Sequence, residues 1–320
     1  MAHEPQALRD RREEQRAAVR RRRATAIGAL AALVVLVVAV VAFAGGGSRG
    51  GGGAAKAPAA TTGAPSTAES PTNTGAAGVV DTSAERLGSG RLAPDAPVPI
   101  LMYHVIGDPP SDAPYPDLYV SREDFAGQMA SLKEKGYVAV TQQEVYDAWH
   151  QGGKLPAKPV VVSFDDGYAG IYKRALPAMR RLGWPGVVNL ELKVLGQPEE
   201  GGLSPQQVKG LIRAGWEINS HTINHNDLTT VDAATLRSEL VDSRAEIKRR
   251  FGVPANFFCY PAGKFNDAVV AAVDAAGYLG ATTVEYGLAR KDAPFTMSRI
   301  RINGSDGVGG FDTKIDGAAA

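Results

Sequence analysis

The chain has 320 residues and a net charge of +1, with 35 Lys and Arg against 34 Asp and Glu. That length holds one ordinary catalytic domain plus extensions, and no long basic run follows the first two dozen residues, which excludes nucleic acid as the expected partner. The single Cys259 excludes an intrachain disulfide and any multi-cysteine metal site.

Residues 1–23 are polar and basic and end in Arg20–Arg23. Residues 24–44 form an uncharged apolar run, and about 20 such residues suffice to cross a hydrocarbon core of ~30 Å. With the arginines on its N-terminal side, the run reads as a single-pass anchor, residues 1–23 cytoplasmic and all after Ala44 outside. The competing reading is a cleaved signal peptide, whose apolar region is usually only about 7–15 residues. Small residues around Ala42-Phe-Ala44 keep that cut open. Residues 45–95 are Gly, Ala, Ser, Thr and Pro with little to bury, a flexible linker reaching roughly 40 Å on average. It would carry a domain of residues 96–320 off the cell membrane, into the layer where cell-wall polymers lie.

From Val98 the texture is globular. Strands are predicted over 98–104, 160–165, 186–192, 216–221, 255–260, 279–284 and 295–302, from β-branched or alternating apolar runs. Helices are predicted over 125–135, 142–149, around Leu176, Met179 and Leu182, and over 205–214, 233–251 and 267–276. Ser121 is the expected N-cap of the first, with Phe125, Met129 and Leu132 on its buried face and Gly136 at its close. The glycine-rich tail after Asn303 reads either as loose or as folded back on the domain. Alternating strands and helices argue for a distorted (β/α) barrel of about seven strands. Chemistry in such barrels gathers at the carboxyl ends of the strands. Four predicted strands end there in polar groups: His104, Asp165-Asp166, His221 and Tyr260.

Neighbouring side chains on a continuing strand face opposite ways, so Asp165 and Asp166 need a turn to share one cleft, and Gly167 permits it. His221-Thr-Ile-Asn-His225 sets two imidazoles four residues apart, on one face if the segment is helical. Two histidines and one carboxylate make a three-ligand face with open positions. Asp166 is the expected third ligand, which leaves Asp165 to take a proton from an activated water. Such a face accepts zinc, the expected divalent ion, and equally cobalt or nickel.

Phe164-Asp-Asp-Gly167, His221-Thr-Ile-Asn-His225 and Tyr260-Pro-Ala-Gly263 resemble, in order and separation, the first three motifs of the polysaccharide deacetylases, carbohydrate esterase family four. The resemblance covers about residues 97–303. It implies a metal-dependent hydrolase that removes acetyl groups from a sugar polymer, with Asp165 as general base and Asp166, His221 and His225 holding the metal. It also implies that the backbone N–H of Tyr168 helps stabilise the oxyanion. The chain departs from many members in two ways: Cys259 stands where an arginine usually pairs with the base, and no histidine follows His225 to act as acid. Leu101-Met-Tyr-His104 and Tyr260-Pro-Ala-Gly263 resemble the poly-N-acetylglucosamine deacetylase branch, whose acid histidine lies in an N-terminal Met-Tyr-His strand. By that resemblance His104 protonates the leaving amine. Arg299 or Arg301 on the last strand is the expected substitute for the missing arginine. Tyr260, with Pro261 beside it, reads either as lining the sugar groove or as a buried structural tyrosine. The function so implied is deacetylation of N-acetylglucosamine-containing polysaccharide, in cell wall or exopolysaccharide. The alternatives are an O-acetyl esterase of the same family and a catalytically silent carbohydrate-binding domain.

Overall fold

The computed structural model describes residues 92–93, 95–198 and 201–319. The expected tail of residues 1–23, the anchor 24–44 and nearly all of the linker 45–95 lie outside the described residues. Among those described, no helix is long and apolar enough to cross a membrane.

In chain order the strands are β1 (Ile100–Tyr103), β2 (Val105–Ile106), β3 (Tyr119–Val120), β4 (Val138–Ala139), β5 (Pro159–Phe164), β6 (Val187–Leu190), β7 (Glu217–Ser220), β8 (Phe257–Cys259), β9 (Gly280–Tyr286) and β10 (Met297–Arg301). The α-helices are α1 (Arg122–Glu134), α2 (Gln142–His150), α3 (Leu176–Arg180), α4 (Pro205–Arg213), α5 (Ala233–Arg237), α6 (Ser243–Phe251), α7 (Asp267–Ala275) and α8 (Gly307–Ala319). Seven strands close into a parallel barrel in the order β1-β10-β9-β8-β7-β6-β5 and back to β1. Strand β4 adds to the start of β5, and β2 pairs with β3 apart from the barrel. This is the expected (β/α) barrel, closed by the pairing of Ile100–Tyr103 with Val161–Phe164.

The two-residue period of the strands sorts their side chains into an outer and an inner set. On β5, Val160, Val162 and Phe164 pack outward with Met129, Leu132 and Met179. Val161 faces inward, with Ile100, Val187, Phe257 and Met297 from the starts of their strands. Val145, Ala148 and Trp149 of α2 join that inner cluster and so plug the amino end of the barrel. Above the plug the inward parity is polar: Ser163 and Asp165 follow Val161, Asn189 follows Val187, Cys259 follows Phe257, and Arg299 and Arg301 follow Met297. An apolar floor beneath a polar mouth is what positions the site.

The helices start where their caps direct. Ser121 Oγ accepts from Asp124 N–H at 2.9 Å, as expected, and Thr141 with Glu144 and Ser204 with Gln207 form reciprocal capping boxes before α2 and α4. The predicted helix 233–251 is continuous but widens over Ser238–Asp242 into a π turn between α5 and α6. The tail after Asn303 resolves as α8, folded onto the barrel. Phe311 and Ile315, four residues apart, are buried with Ile300, Ile302 and Phe125. The two helices approach closely because α1 carries Gly127: a Cβ there would stand 2.7 Å from Val308 Cγ2. Gln128 Nε2 also donates to Gly307 O at 2.7 Å.

Candidate metal and acid–base centre

Asp165 follows β5 directly and keeps its inward parity. Its carboxylate is buried, and Arg299 Nη1 and Nη2 donate to Oδ1 and Oδ2 at 2.8 Å each. Asn189 Nδ2 donates to Oδ1 at 2.8 Å, and Cys259 Sγ lies 3.7 Å from Oδ2. Burial alone would raise the pKa of this carboxyl, but the charge and hydrogen bonds of Arg299 override it and hold the group far below the usual carboxylate range. The arginine displaced from the third motif is therefore replaced from β10. Arg299 Nη2 passes 3.3 Å from Cys259 Sγ. Arg301, the other candidate, makes no hydrogen bond or ion pair with Asp165. Asn189 was not singled out from the sequence, although a lone amide in the run Val187-Val-Asn-Leu190, at the inward parity, was the available signal.

The turn that frees Asp166 begins one residue earlier than expected. Asp166 itself is left-handed, φ 71°, and Gly167 follows at φ 92°. A Cβ on Gly167 would stand 2.6 Å from Leu190 Cδ1, but the positive φ is what disfavours other side chains there. Asp166 Oδ1 lies 3.4 Å from His221 Nε2 and 3.7 Å from His225 Nε2. The expectation that His221 and His225 share one face of a helical turn is not met. Thr222 and His225 are left-handed, φ 71° and 53°, and this non-helical turn brings the rings together edge to face at 4.7 Å between centroids. Thr222 Oγ1 accepts from the His225 N–H at 2.9 Å while its hydroxyl donates to His221 O. His221 Nδ1 is 2.7 Å from Cys259 O, a carbonyl that can only accept, so the ring carries its proton there and presents Nε2 to Asp166. Burial and the adjoining His221 keep His225 below the usual imidazole range, which favours the neutral, ligating form.

One ligand atom from each of Asp166, His221 and His225 falls within 4.8 Å of the others. A tetrahedral ion with ligands at 2.0–2.2 Å needs ligand atoms about 3.4 Å apart. The observed 3.4 and 3.7 Å, with two nitrogens and one oxygen, suit a borderline divalent ion. Asp165, His221 and Cys259 also cluster within that limit, but both oxygens of Asp165 are already engaged by Arg299.

His104, just past β1, completes the mouth. Its Nε2 is 3.9 Å from Asp165 Oδ2, and its Nδ1 is buried without a hydrogen-bond partner among the described residues. Burial lowers its pKa, partly offset by Asp165 and Asp166. Tyr168 pairs with Gly202 in an isolated bridge whose hydrogen bonds run from Ala169 N–H to Gly201 O at 2.7 Å and from Leu203 N–H to Gly167 O at 2.8 Å. In that pattern the N–H of Tyr168 lies on the edge away from Gly202. Tyr260 and Pro261 follow β8. Both are buried, Tyr260 packing with Phe258, Tyr278 and Val273 on the outer side of the barrel and donating its hydroxyl to Phe295 O at 3.0 Å. The motif Tyr-Pro-Ala-Gly shapes the turn after β8, and the burial of Tyr260 agrees with its reading as a structural tyrosine.

A family model described as polysaccharide deacetylase matches residues 152–281. Among curated proteins the chain is 31% identical over 209 residues to YxkH of Bacillus subtilis, a polysaccharide deacetylase by name, covering 65% of this chain and 72% of that protein. It is 25% identical over 170 residues to the poly-β-1,6-N-acetyl-D-glucosamine N-deacetylase of Staphylococcus aureus, covering 49% of this chain and 58% of that protein. Among solved structures it superposes on the Streptococcus pyogenes deacetylase PplD, in complex with acetate, with a TM-score of 0.63 at 26% identity, covering 69% of this chain and 98% of that one.

Proposed function

The chain belongs to the polysaccharide deacetylase family, and from that premise we propose that it is a membrane-anchored, outward-facing, metal-dependent N-deacetylase of an N-acetylglucosamine-containing polysaccharide. The observation that carries this reading is the division of labour at the barrel mouth. Asp166, His221 and His225 form a donor set, while Asp165 is held apart from it by Arg299, with His104 at 3.9 Å.

The three donors would hold zinc, cobalt or nickel, which when bound supplies a Lewis acid that makes water a nucleophile at neutral pH and polarises a carbonyl. Asp165, kept ionised by Arg299, accepts the proton of the attacking water. Arg299 and Asn189 fix the plane of that carboxylate, so its basic oxygen does not rotate away. The N–H of Tyr168 donates to the acetamide oxygen as it gains charge. His104 delivers a proton to the sugar nitrogen as the carbon–nitrogen bond breaks, releasing acetate and a free amine. The charge-free run 24–44 behind four arginines supports the anchor, and linker 45–95 supports a domain held away from the bilayer.

The N-acetylglucosamine polymer is supported by the resemblance of Leu101-Met-Tyr-His104 to the poly-N-acetylglucosamine branch and by the likeness to the Staphylococcus aureus enzyme. The test is acetate release by the full chain from β-1,6- and β-1,4-linked N-acetylglucosamine oligomers, peptidoglycan and acetylated xylan. Release from an N-acetylated polymer is expected. Release from xylan alone assigns an O-acetyl esterase, and release from none assigns a carbohydrate-binding domain.

A further inference from the structure

Glu239 is a buried carboxylate that neither the motifs nor the proposed reaction use. It sits in the π turn Ser238–Asp242, and both of its oxygens point at the loop that carries the two histidines. Oε2 accepts from Ile223 N–H at 2.7 Å and Asn224 N–H at 3.0 Å; Oε1 accepts from Asn224 Nδ2 at 2.8 Å and Asn226 Nδ2 at 2.9 Å. These four donors bracket His225 on both sides.

All four partners are N–H groups, and a carboxylate is the one side-chain group of this shape that accepts at every position. The loop needs such a fastener. Thr222, β-branched, and His225 both adopt left-handed backbone, which persists only where the surroundings over-determine it. The π turn fits the same account, since a widened turn re-aims a helix side chain and such turns gather at functional sites.

We propose that Glu239 is the positioning residue for the metal centre: it holds the 221–226 loop in the strained turn that brings His221 and His225 onto Asp166. The inference rests on the metal-holding role proposed for those three residues. Glu239 itself ligates nothing.

The test is zinc affinity of the full chain, stripped with a chelator and titrated against a chromophoric competitor, with the Tm of the metal-free protein measured alongside. Glu239→Gln keeps the size but turns one acceptor into a donor facing N–H groups. Removing such a support of a metal ligand characteristically weakens metal binding about 10–100-fold, and that loss is expected here. A merely structural Glu239 would lower the metal-free Tm and leave zinc affinity unchanged in the folded protein, and that result overturns the proposal. If Glu239→Gln does not fold, Asn226→Ala removes a single donor; weaker zinc binding supports the proposal and unaltered binding overturns it. Zinc binding is read without substrate, so a parent protein that binds zinc and releases no acetate defeats the deacetylase reading while leaving this one standing.

Discussion

Arg299 on β10 meets Asp165 beyond β5 through two hydrogen bonds of 2.8 Å, fork against fork, with Arg299 0% and Asp165 3% exposed. A guanidinium offers this planar, two-point grip and an ammonium does not. Cys259 stands where the third motif usually places an arginine, and the cation reaches Asp165 from a different strand.

Removing one partner of such a pair leaves an uncompensated buried charge. Arg299→Ala is expected to lower stability by about 3–5 kcal/mol in denaturant unfolding. Arg299→Lys keeps the charge but loses the plane, and its acetate release is expected to fall about 100-fold or more with zinc affinity retained. Full turnover in the folded Lys variant would show that the fork does not orient the base.

Glu217, the first residue of β7, sits by the floor of the barrel and accepts from Gln143 N–H at 2.9 Å and Asn219 Nδ2 at 2.7 Å. Burial pushes its pKa up to about 7 against these bonds. Below the unfolded value of 4.5 both states hold the proton; between 4.5 and about 7 only the folded state does. Stability from this group is therefore present at low pH and lost as pH rises through 7, by at most about 3 kcal/mol. The difference in Tm between the parent and Glu217→Gln should change across pH 4.5 to 7 and level off above; a constant difference contradicts the assignment.

The C-terminal helix is a structural clasp. Phe311 is wholly buried between α8 and the barrel, and Phe311→Ala is expected to cost about 3–5 kcal/mol in urea unfolding. A loss below about 1 kcal/mol would show that α8 packs weakly in solution.

The seven barrel strands and most helices were legible because their signals are local: Val160–Phe164 is a buried run, Ser121 caps, Gly136 stops; the two-residue strands β2, β3 and β4 are too short to carry such a signal. Helix α8 was not legible, since Gly307, Gly309 and Gly310 oppose helix propensity locally and its formation depends on burying Phe311 and Ile315 against α1. In the site, His104, Asp165, Asp166 and His221 were marked by their places at strand ends and His225 by its spacing from His221, and the fold brings the five together. The sequence left Arg299 and Arg301 equivalent, because both share the inward parity of β10 and only the barrel's depth separates them. Tyr260 was ambiguous for the opposite reason: one residue beyond Cys259 the parity flips, which sends it outward. Glu239 was hidden in an amphipathic helix where a glutamate normally reads as solvated.

Asp165 and His104 are proposed to act as base and acid beside a metal held by Asp166, His221 and His225. These roles are tested most directly by acetate release from N-acetylglucosamine oligomers, before and after chelation and reloading with zinc or cobalt, in the parent, Asp165→Asn and His104→Ala. Release is expected to vanish on chelation, to return on reloading, and to stay reduced about 10²–10⁴-fold in both metal-loaded variants. Release that survives chelation, or metal-loaded variants that match the parent, would contradict them.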